Sequence, residues 1–250
     1  MKLIDEFYAL PLNLINTTAN EIKKQGWAFI AGQDVIDDLE LDYDYVSSFG
    51  CYWDSLVRDE FMADNGTYRY RRYSHFRLED PHGKLILLPH EPYSQSTEFN
   101  YLNGGVERYY PPLETNFINH PLFISLIRGL AQIFNCAEKE TRTWTIRLYP
   151  YRILTNKIET GKPTPEGLHR DGVDYIAMAL IRRVNVSGGV TTITDSQRTP
   201  LHSKTLNQPM DIIVADDRRI MHEVSPISCS QGSQGYRDVL VIAFERECPC

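Results

Sequence analysis

The chain has 250 residues, 42% of them hydrophobic and 24% charged, which suits one large or two small globular domains and argues against a disordered or membrane-spanning chain. Its net charge of −7 argues against a protein whose main task is gripping nucleic-acid phosphates, because that affinity comes from clustered Lys and Arg. No nucleic-acid partner is therefore expected, and a small diffusible substrate is.

At the start of the chain, Met1 to Phe7 lacks the uninterrupted apolar run of a signal peptide. No later stretch reaches the roughly 18 apolar residues of a membrane span. The expected location is cytoplasmic, with no membrane partner. Asn13 to Lys24 carries good helix formers behind the possible caps Thr17 and Thr18. Gly26 stops that run before Trp27 to Ile30, which reads as a strand. Asp37 to Asp59 reads as mostly helical, with a possible break at Phe49-Gly50.

Asn65-Gly66 turns the chain into Tyr68 to Arg77, where aromatic and basic side chains alternate with the period of a strand. Aromatics interleaved with arginines could stack single-stranded bases. The acidic chain favours the plainer reading, in which the aromatic face packs on the core and the arginines stand in solvent. Pro121 to Cys136 is the clearest helix. Pro121 suits its first turn, and Leu122, Ile124, Leu126, Ile127, Leu130, Ile133 and Phe134 form an apolar face that should pack on the outside of a sheet.

After that helix the pattern changes to short strands joined by polar turns. These are Trp144 to Tyr149, Tyr175 to Arg182, Val190 to Thr194, Asp211 to Val214, Met221 to Val224 and Val239 to Phe244. Such a series predicts a β-sandwich or jelly roll. With no repeat or linker to cut the chain, residues 1–250 are expected to form a single domain, helix-rich over 1–140 and packed on a β core over 141–246. The fold class is therefore α+β. The five cysteines, Cys51, Cys136, Cys229, Cys248 and Cys250, are odd in number and include no CxxC pair, so neither a disulfide framework nor a structural zinc site is indicated. Cys248-Pro249-Cys250 reads as a frayed end.

Chemistry concentrates in the β half. In Pro165-Glu166-Gly167-Leu168-His169-Arg170-Asp171-Gly172, an imidazole and a carboxylate stand two residues apart, a spacing that puts both on one face of an extended chain. His222 lies downstream in a strand-like stretch. Two histidines and one carboxylate suit non-haem iron(II) and leave about three of six coordination positions open. Open positions mean catalysis, because structural metal sites are closed. Iron that activates O2 needs electrons, and no flavin or nicotinamide glycine fingerprint is present. A sacrificial organic acid is the substitute; a resemblance to the 2-oxoglutarate-dependent oxygenases would make it a keto acid whose far carboxylate needs a cation. Arg237, fifteen residues beyond His222 at the head of the most hydrophobic strand, is the candidate, since a guanidinium stays charged on burial and donates a two-pronged fork. The plain alternative is that His222 caps a turn and that Arg237 pairs with Asp211 or Asp238.

The run Pro163 to Asp174, the following Asn185-Val186-Ser187-Gly188-Gly189, and then His222 and Arg237 together resemble the bacterial iron- and 2-oxoglutarate-dependent amino-acid dioxygenases typified by L-isoleucine 4-hydroxylase. The resemblance extends from about Trp144 to Phe244, and the helical half matches in size and character only. It implies a double-stranded β-helix (jelly-roll, cupin-like) core with flanking helices, mostly from the N-terminal half. It implies iron(II) on His169, Asp171 and His222, with 2-oxoglutarate on Arg237 and O2 as the further co-substrate. It also implies hydroxylation of a free aliphatic amino acid such as isoleucine, leucine, valine or methionine, with release of succinate and CO2. Alternatives are an oxygenase acting on a peptide or a nucleobase, and a non-catalytic metal-binding jelly roll that senses a small ligand.

Other residues are open candidates. Thr191 or Thr192 could hydrogen-bond 2-oxoglutarate, and Arg147 or Tyr149 could hold a substrate carboxylate or the co-substrate. Glu166 or Asp174 could receive a substrate ammonium. Gly188-Gly189 reads as a turn between strands. His75, His82, His90, His120 and His202 read as surface residues, with His202 the substitute ligand should His222 fail. The sequence assigns no oligomeric state.

Overall fold

The computed structural model describes residues 10–98 and 104–247; Met1 to Phe7 and Cys248 to Cys250 lie outside the described residues. The helices are α1 (Leu12–Gln25), α2 (Gly32–Asp38), α3 (Tyr43–Phe49), α4 (Thr115–Ile118) and α5 (Pro121–Glu138). The strands of the first half are β1 (Trp27–Ile30), β2 (Val57–Arg58), β3 (Arg69–Arg71), β4 (Ser74–Leu78) and β5 (Ile86–Leu87). Those of the second half are β6 (Trp144–Asn156), β7 (Tyr175–Val184), β8 (Val186–Gly188), β9 (Val190–Asp195), β10 (Pro200–Thr205), β11 (Ile212–Asp216), β12 (Ile220–Val224), β13 (Ile227–Cys229) and β14 (Gln234–Arg246).

A nine-stranded sheet runs β1-β11-β7-β14-β6-β3-β2, with β4 also on β6 and β5 on β4. A smaller sheet, β10-β9-β12, and the two-stranded β13-β8 sheet complete the double-stranded β-helix. The strand period of two divides the large sheet cleanly. Ile146, Leu148, Leu240, Ile242, Phe244, Ala177 and Ala179 join α1 and α5 in one core. The alternate residues Ile176, Met178, Leu180 and Val239 join Ile193 and Ile220 of the small sheet in another. The helices thus cover one face, and the site lies toward the other.

The expected α1 forms within a residue of its predicted ends. Gly26, at φ +88°, caps it by donating its N–H to Ile22 O, which a side chain would resist in this left-handed conformation. The predicted long helix is α5, with Pro121 in its first turn and the His120 ring accepting from Leu122 N. Asp37 to Asp59 is mostly helical, and Phe49-Gly50 marks the change from α-helix to a 3-10 turn over Gly50–Ser55.

The helix-rich first half also supplies the expected strands: β1 extends the large sheet at one edge, and β3 and β4 extend it beyond β6. Two expectations change. Tyr68 to Arg77 is two strands, broken where Tyr73 N–H leaves the ladder for Pro111 O. Its arginines do not all face solvent: Arg69 and Arg71 are buried. Both faces of this segment are covered, so alternation alone could not say which one points into the protein.

Candidate active site

The two sheets converge at His169. Its N–H donates to His222 O at 3.1 Å and its carbonyl accepts from His222 N at 2.9 Å, an antiparallel bridge that holds the two rings 4.5 Å apart. Only this one residue of the 165–172 run is strand-like; the rest is loop. Asp171 is swung round by Asp217, whose carboxylate accepts from the N–H groups of Asp171 (3.1 Å), Gly172 (2.8 Å) and Val173 (3.2 Å). Gln95 Nε2 adds a bond to Asp171 O at 3.0 Å.

In this way one imidazole nitrogen each from His169 and His222 and a carboxylate oxygen of Asp171 come within 4.8 Å of one another. His222 Nε2 lies 3.5 Å from Asp171 Oδ2, and His169 Nε2 4.0 Å from Asp171 Oδ1. The three atoms can surround one ion at bond lengths of about 2 Å. The Nδ1 of His169 sits 2.8 Å from Gly167 O; donation there leaves the Nε2 lone pair free, the usual device for fixing a ligand tautomer.

The electrostatics fit a cation. Burial pushes Asp171 up to about 7, with Asp217 and Glu166 adding to it and His169 opposing. Burial pushes His222 well down, and His169 adds to that. Burial also opposes charge on His169, but Asp171 and Glu166 outweigh it and hold that imidazole up. Asp171 Oδ2, Glu166 Oε2 and His222 Nδ1 are buried without a hydrogen-bond partner among the described residues. A divalent cation would supply the charge that this carboxylate-rich pocket otherwise takes from a shared proton.

The same cavity is lined by the triad, Glu166, Arg69, Tyr149, Tyr151 and Arg237. Arg237 is 3% exposed. Its Nε and Nη2 have no partner among the described residues. Burial, with Arg183 beside it, pulls its guanidinium down to about 9. The pairing alternatives fail. Asp238 is spent on Arg152 (2.7 Å) and Arg182 (2.9 Å), while Asp211 accepts from the N–H groups of Gly32, Asn207 and Gln208. His222 lies inside β12 and caps no turn. Gly189, at φ +70°, lets Arg183 and Arg237 pass, because a Cβ there would stand 2.9 Å from Arg183 Nη1 and 3.4 Å from Arg237 Cδ.

The remaining candidates divide. Glu166 is in the cavity, its Oε1 3.5 Å from His169 Nε2. Asp174 is not there: it binds Arg246 Nε at 2.8 Å and the Arg246 N–H at 2.8 Å. Tyr149 lines the cavity, whereas Arg147 lines an adjoining recess and pairs with Glu245. Thr192 bonds Ser203 Oγ at 3.2 Å, while Thr191 is buried with its Oγ1 unpartnered among the described residues. Gly188-Gly189 does turn β8 into β9, and both glycines have positive φ. His202 stacks on Trp27 at 4.4 Å and is no substitute ligand. His82 and His90 are exposed as expected, but His75 is buried.

Asp217, Asp59, Arg71 and Arg108 escaped the sequence reading. Asp217 directly follows a hydrophobic strand in Val214-Ala215-Asp216-Asp217, a signal too common to single it out.

The model of the family described as 2OG-Fe dioxygenase matches residues 51–243, reaching much further toward the N-terminus than the resemblance read from motifs. A 3(1)-hydroxy-L-isoleucine 4-dioxygenase of Pantoea ananatis (strain AJ13355) is 25% identical over 246 residues, covering 91% of this chain and 95% of the relative. An L-isoleucine-4-hydroxylase of Bacillus thuringiensis is 26% identical over 183 residues, covering 72% of this chain and 75% of the relative. Among solved structures, a bsmA homologue from Methylobium petroleophilum PM1 is 30% identical with a TM-score of 0.84, covering 94% of this chain and 96% of that one.

Proposed function

The chain belongs to the 2OG-Fe dioxygenase family and is thus an iron(II)-, 2-oxoglutarate- and O2-dependent oxidoreductase; on that premise we propose that it hydroxylates a free aliphatic L-amino acid. Isoleucine is the first candidate, followed by leucine, valine and methionine, with succinate and CO2 as co-products. The relatives named for oxidation of L-isoleucine and of 3(1)-hydroxy-L-isoleucine support this choice of substrate. The observation that carries the reading is the shared cavity, with a buried two-histidine, one-carboxylate cluster at one place and the unpartnered guanidinium of Arg237 at another.

In this reading His169, Asp171 and His222 hold the iron. When bound, iron with 2-oxoglutarate supplies the oxidant that inserts one atom of O2 into a C–H bond as the keto acid is cleaved. The chain's own residues do the placing. Arg237 pairs with the far carboxylate of 2-oxoglutarate, a bond strengthened by burial. Asp217 keeps the Asp171 loop in position, and Gly167 O fixes the His169 ring. Glu166, whose buried Oε2 lacks a partner among the described residues, receives the substrate ammonium. Val239, Val241 and Met178 give the cavity an apolar wall suited to an aliphatic side chain. We take residues 1–250 as one catalytic domain, since both halves supply strands to the large sheet. The free thiols Cys51, Cys136 and Cys229 suit a reducing compartment such as the cytoplasm.

Two variants test the assignment through binding. Under anaerobic conditions iron(II) plus 2-oxoglutarate should give the weak visible charge-transfer band of the chelate. His169→Ala should abolish the band through loss of metal, whereas Arg237→Ala should retain metal and demand far more 2-oxoglutarate. Full iron affinity in His169→Ala would remove the triad from its role, and an unchanged 2-oxoglutarate requirement in Arg237→Ala would remove Arg237 from its own.

A further inference from the structure

Resting on the amino-acid reading and extending it, we propose that Arg69, backed by Asp59, Arg71 and Arg108, receives the α-carboxylate of the substrate. The strand register puts Arg69 and Arg237 opposite the same residue, Ile153, from either side. Directly opposed residues share a face, so one wall of the cavity carries two arginines about 10 Å apart at the backbone. The metal cluster and the 2-oxoglutarate site account for only one of them.

The charge around the second is out of balance. Arg69 sends both Nε and Nη2 to Asp59 Oδ2 at 2.8 Å, and Asp59 Oδ1 takes the Phe61 N–H at 2.9 Å. Arg71 stays 4.0 Å from that carboxylate. Arg71 and Arg108 both keep Nε and Nη2 unpartnered among the described residues. Tyrosine rings cover them: Arg71 stands 3.9 Å from Tyr110 and 4.6 Å from Tyr151, and Arg108 stands 4.6 Å from Tyr93. Ring faces attract a cation but carry no net charge. Arg69 and Arg71 therefore share one buried carboxylate, while Arg108 is buried against the Tyr93 ring that Arg71 also faces, and buried charge calls for a counter-charge.

The cavity that Arg69 lines gives room for that anion. Arg69 lines it together with Tyr93, Tyr149 and Tyr151, while Asp59, Arg71 and Arg108 stand behind. Asp59 engages two of Arg69's three nitrogens and locks the side chain in place, leaving Nη1 for a ligand. A carboxylate seated there would span toward Glu166 with its ammonium and lay its side chain on the apolar wall. A residue inside a peptide has no such carboxylate and should be refused.

The test compares succinate release by the iron-loaded protein with each of the twenty free L-amino acids and with the matching carboxamides. At least one acid should stimulate release, and its carboxamide should be at least about 30-fold poorer in kcat/KM, the loss expected when one partner of a buried charge pair is removed. Asp59→Asn/Arg69→Met, which leaves no carboxylate buried alone, and Arg71→Met should each raise the KM for that acid by a similar factor. Both should keep the 2-oxoglutarate requirement and the anaerobic charge-transfer band. A carboxamide as good as its acid overturns the carboxylate site. So does a variant whose 2-oxoglutarate requirement moves instead of its amino-acid KM. If no free amino acid stimulates release while the charge-transfer band forms normally, the amino-acid reading itself falls and takes this site with it.

Discussion

Replacing Arg237 by methionine should leave the ligand-free protein at least as stable while destroying its response to 2-oxoglutarate. The guanidinium is 3% exposed, has two nitrogens unpartnered among the described residues and is pulled from the ordinary arginine range down to about 9. At about 1.36 kcal/mol for each tenfold change, that fall corresponds to a burial cost of about 5 kcal/mol. Relaxation and water reduce what removing the charge recovers, so the expected gain is on the order of 1–3 kcal/mol, as when other buried charges give way to apolar side chains. With 2-oxoglutarate at a hundred times its Kd, the wild type should gain about 2.7 kcal/mol by mass action. For a chain of this size that is a Tm rise of roughly 5–10 °C. Thermal denaturation under anaerobic iron(II), with and without 2-oxoglutarate, measures both effects. The reasoning is refuted if Arg237→Met is less stable than the wild type without ligand and still rises with 2-oxoglutarate.

Asp217→Asn should weaken metal binding by about 10- to 100-fold, because it loosens the N–H bonds that hold the Asp171 loop; unchanged affinity in a metal titration would contradict this. Gly189→Ala should cost about 1–3 kcal/mol in thermal denaturation and raise the 2-oxoglutarate requirement, since it strains a φ of +70° and presses on Arg183. His202→Ala should leave metal affinity untouched, since its ring lies on Trp27 and not in the triad.

The sequence revealed most where a local rule had no competitor. Gly26 and Pro121 marked helix ends because left-handed caps and first-turn prolines have few other uses. His169, Asp171, His222 and Arg237 stood out through their order along a β pattern, and the structure brings all four to one cavity. The run Tyr68 to Arg77 was misread because a strand's two faces are equivalent in sequence. Solvating arginines is the usual solution, and here Asp59 and four tyrosines draw Arg69 and Arg71 inward instead. Asp174 was favoured for nearness to the motif, but a short loop turns it toward Arg246 and Arg218. Asp217 could not be read in advance, since its partners are backbone N–H groups more than forty residues away.

The most direct measurement is the fate of oxygen. With 18O2, iron(II), 2-oxoglutarate and the amino acid that stimulates turnover, one labelled atom should appear in succinate and one in the hydroxylated amino acid, in equal amounts. Oxygen drawn from water into the product, or succinate formed with no amino acid oxidised in any combination, would contradict the account.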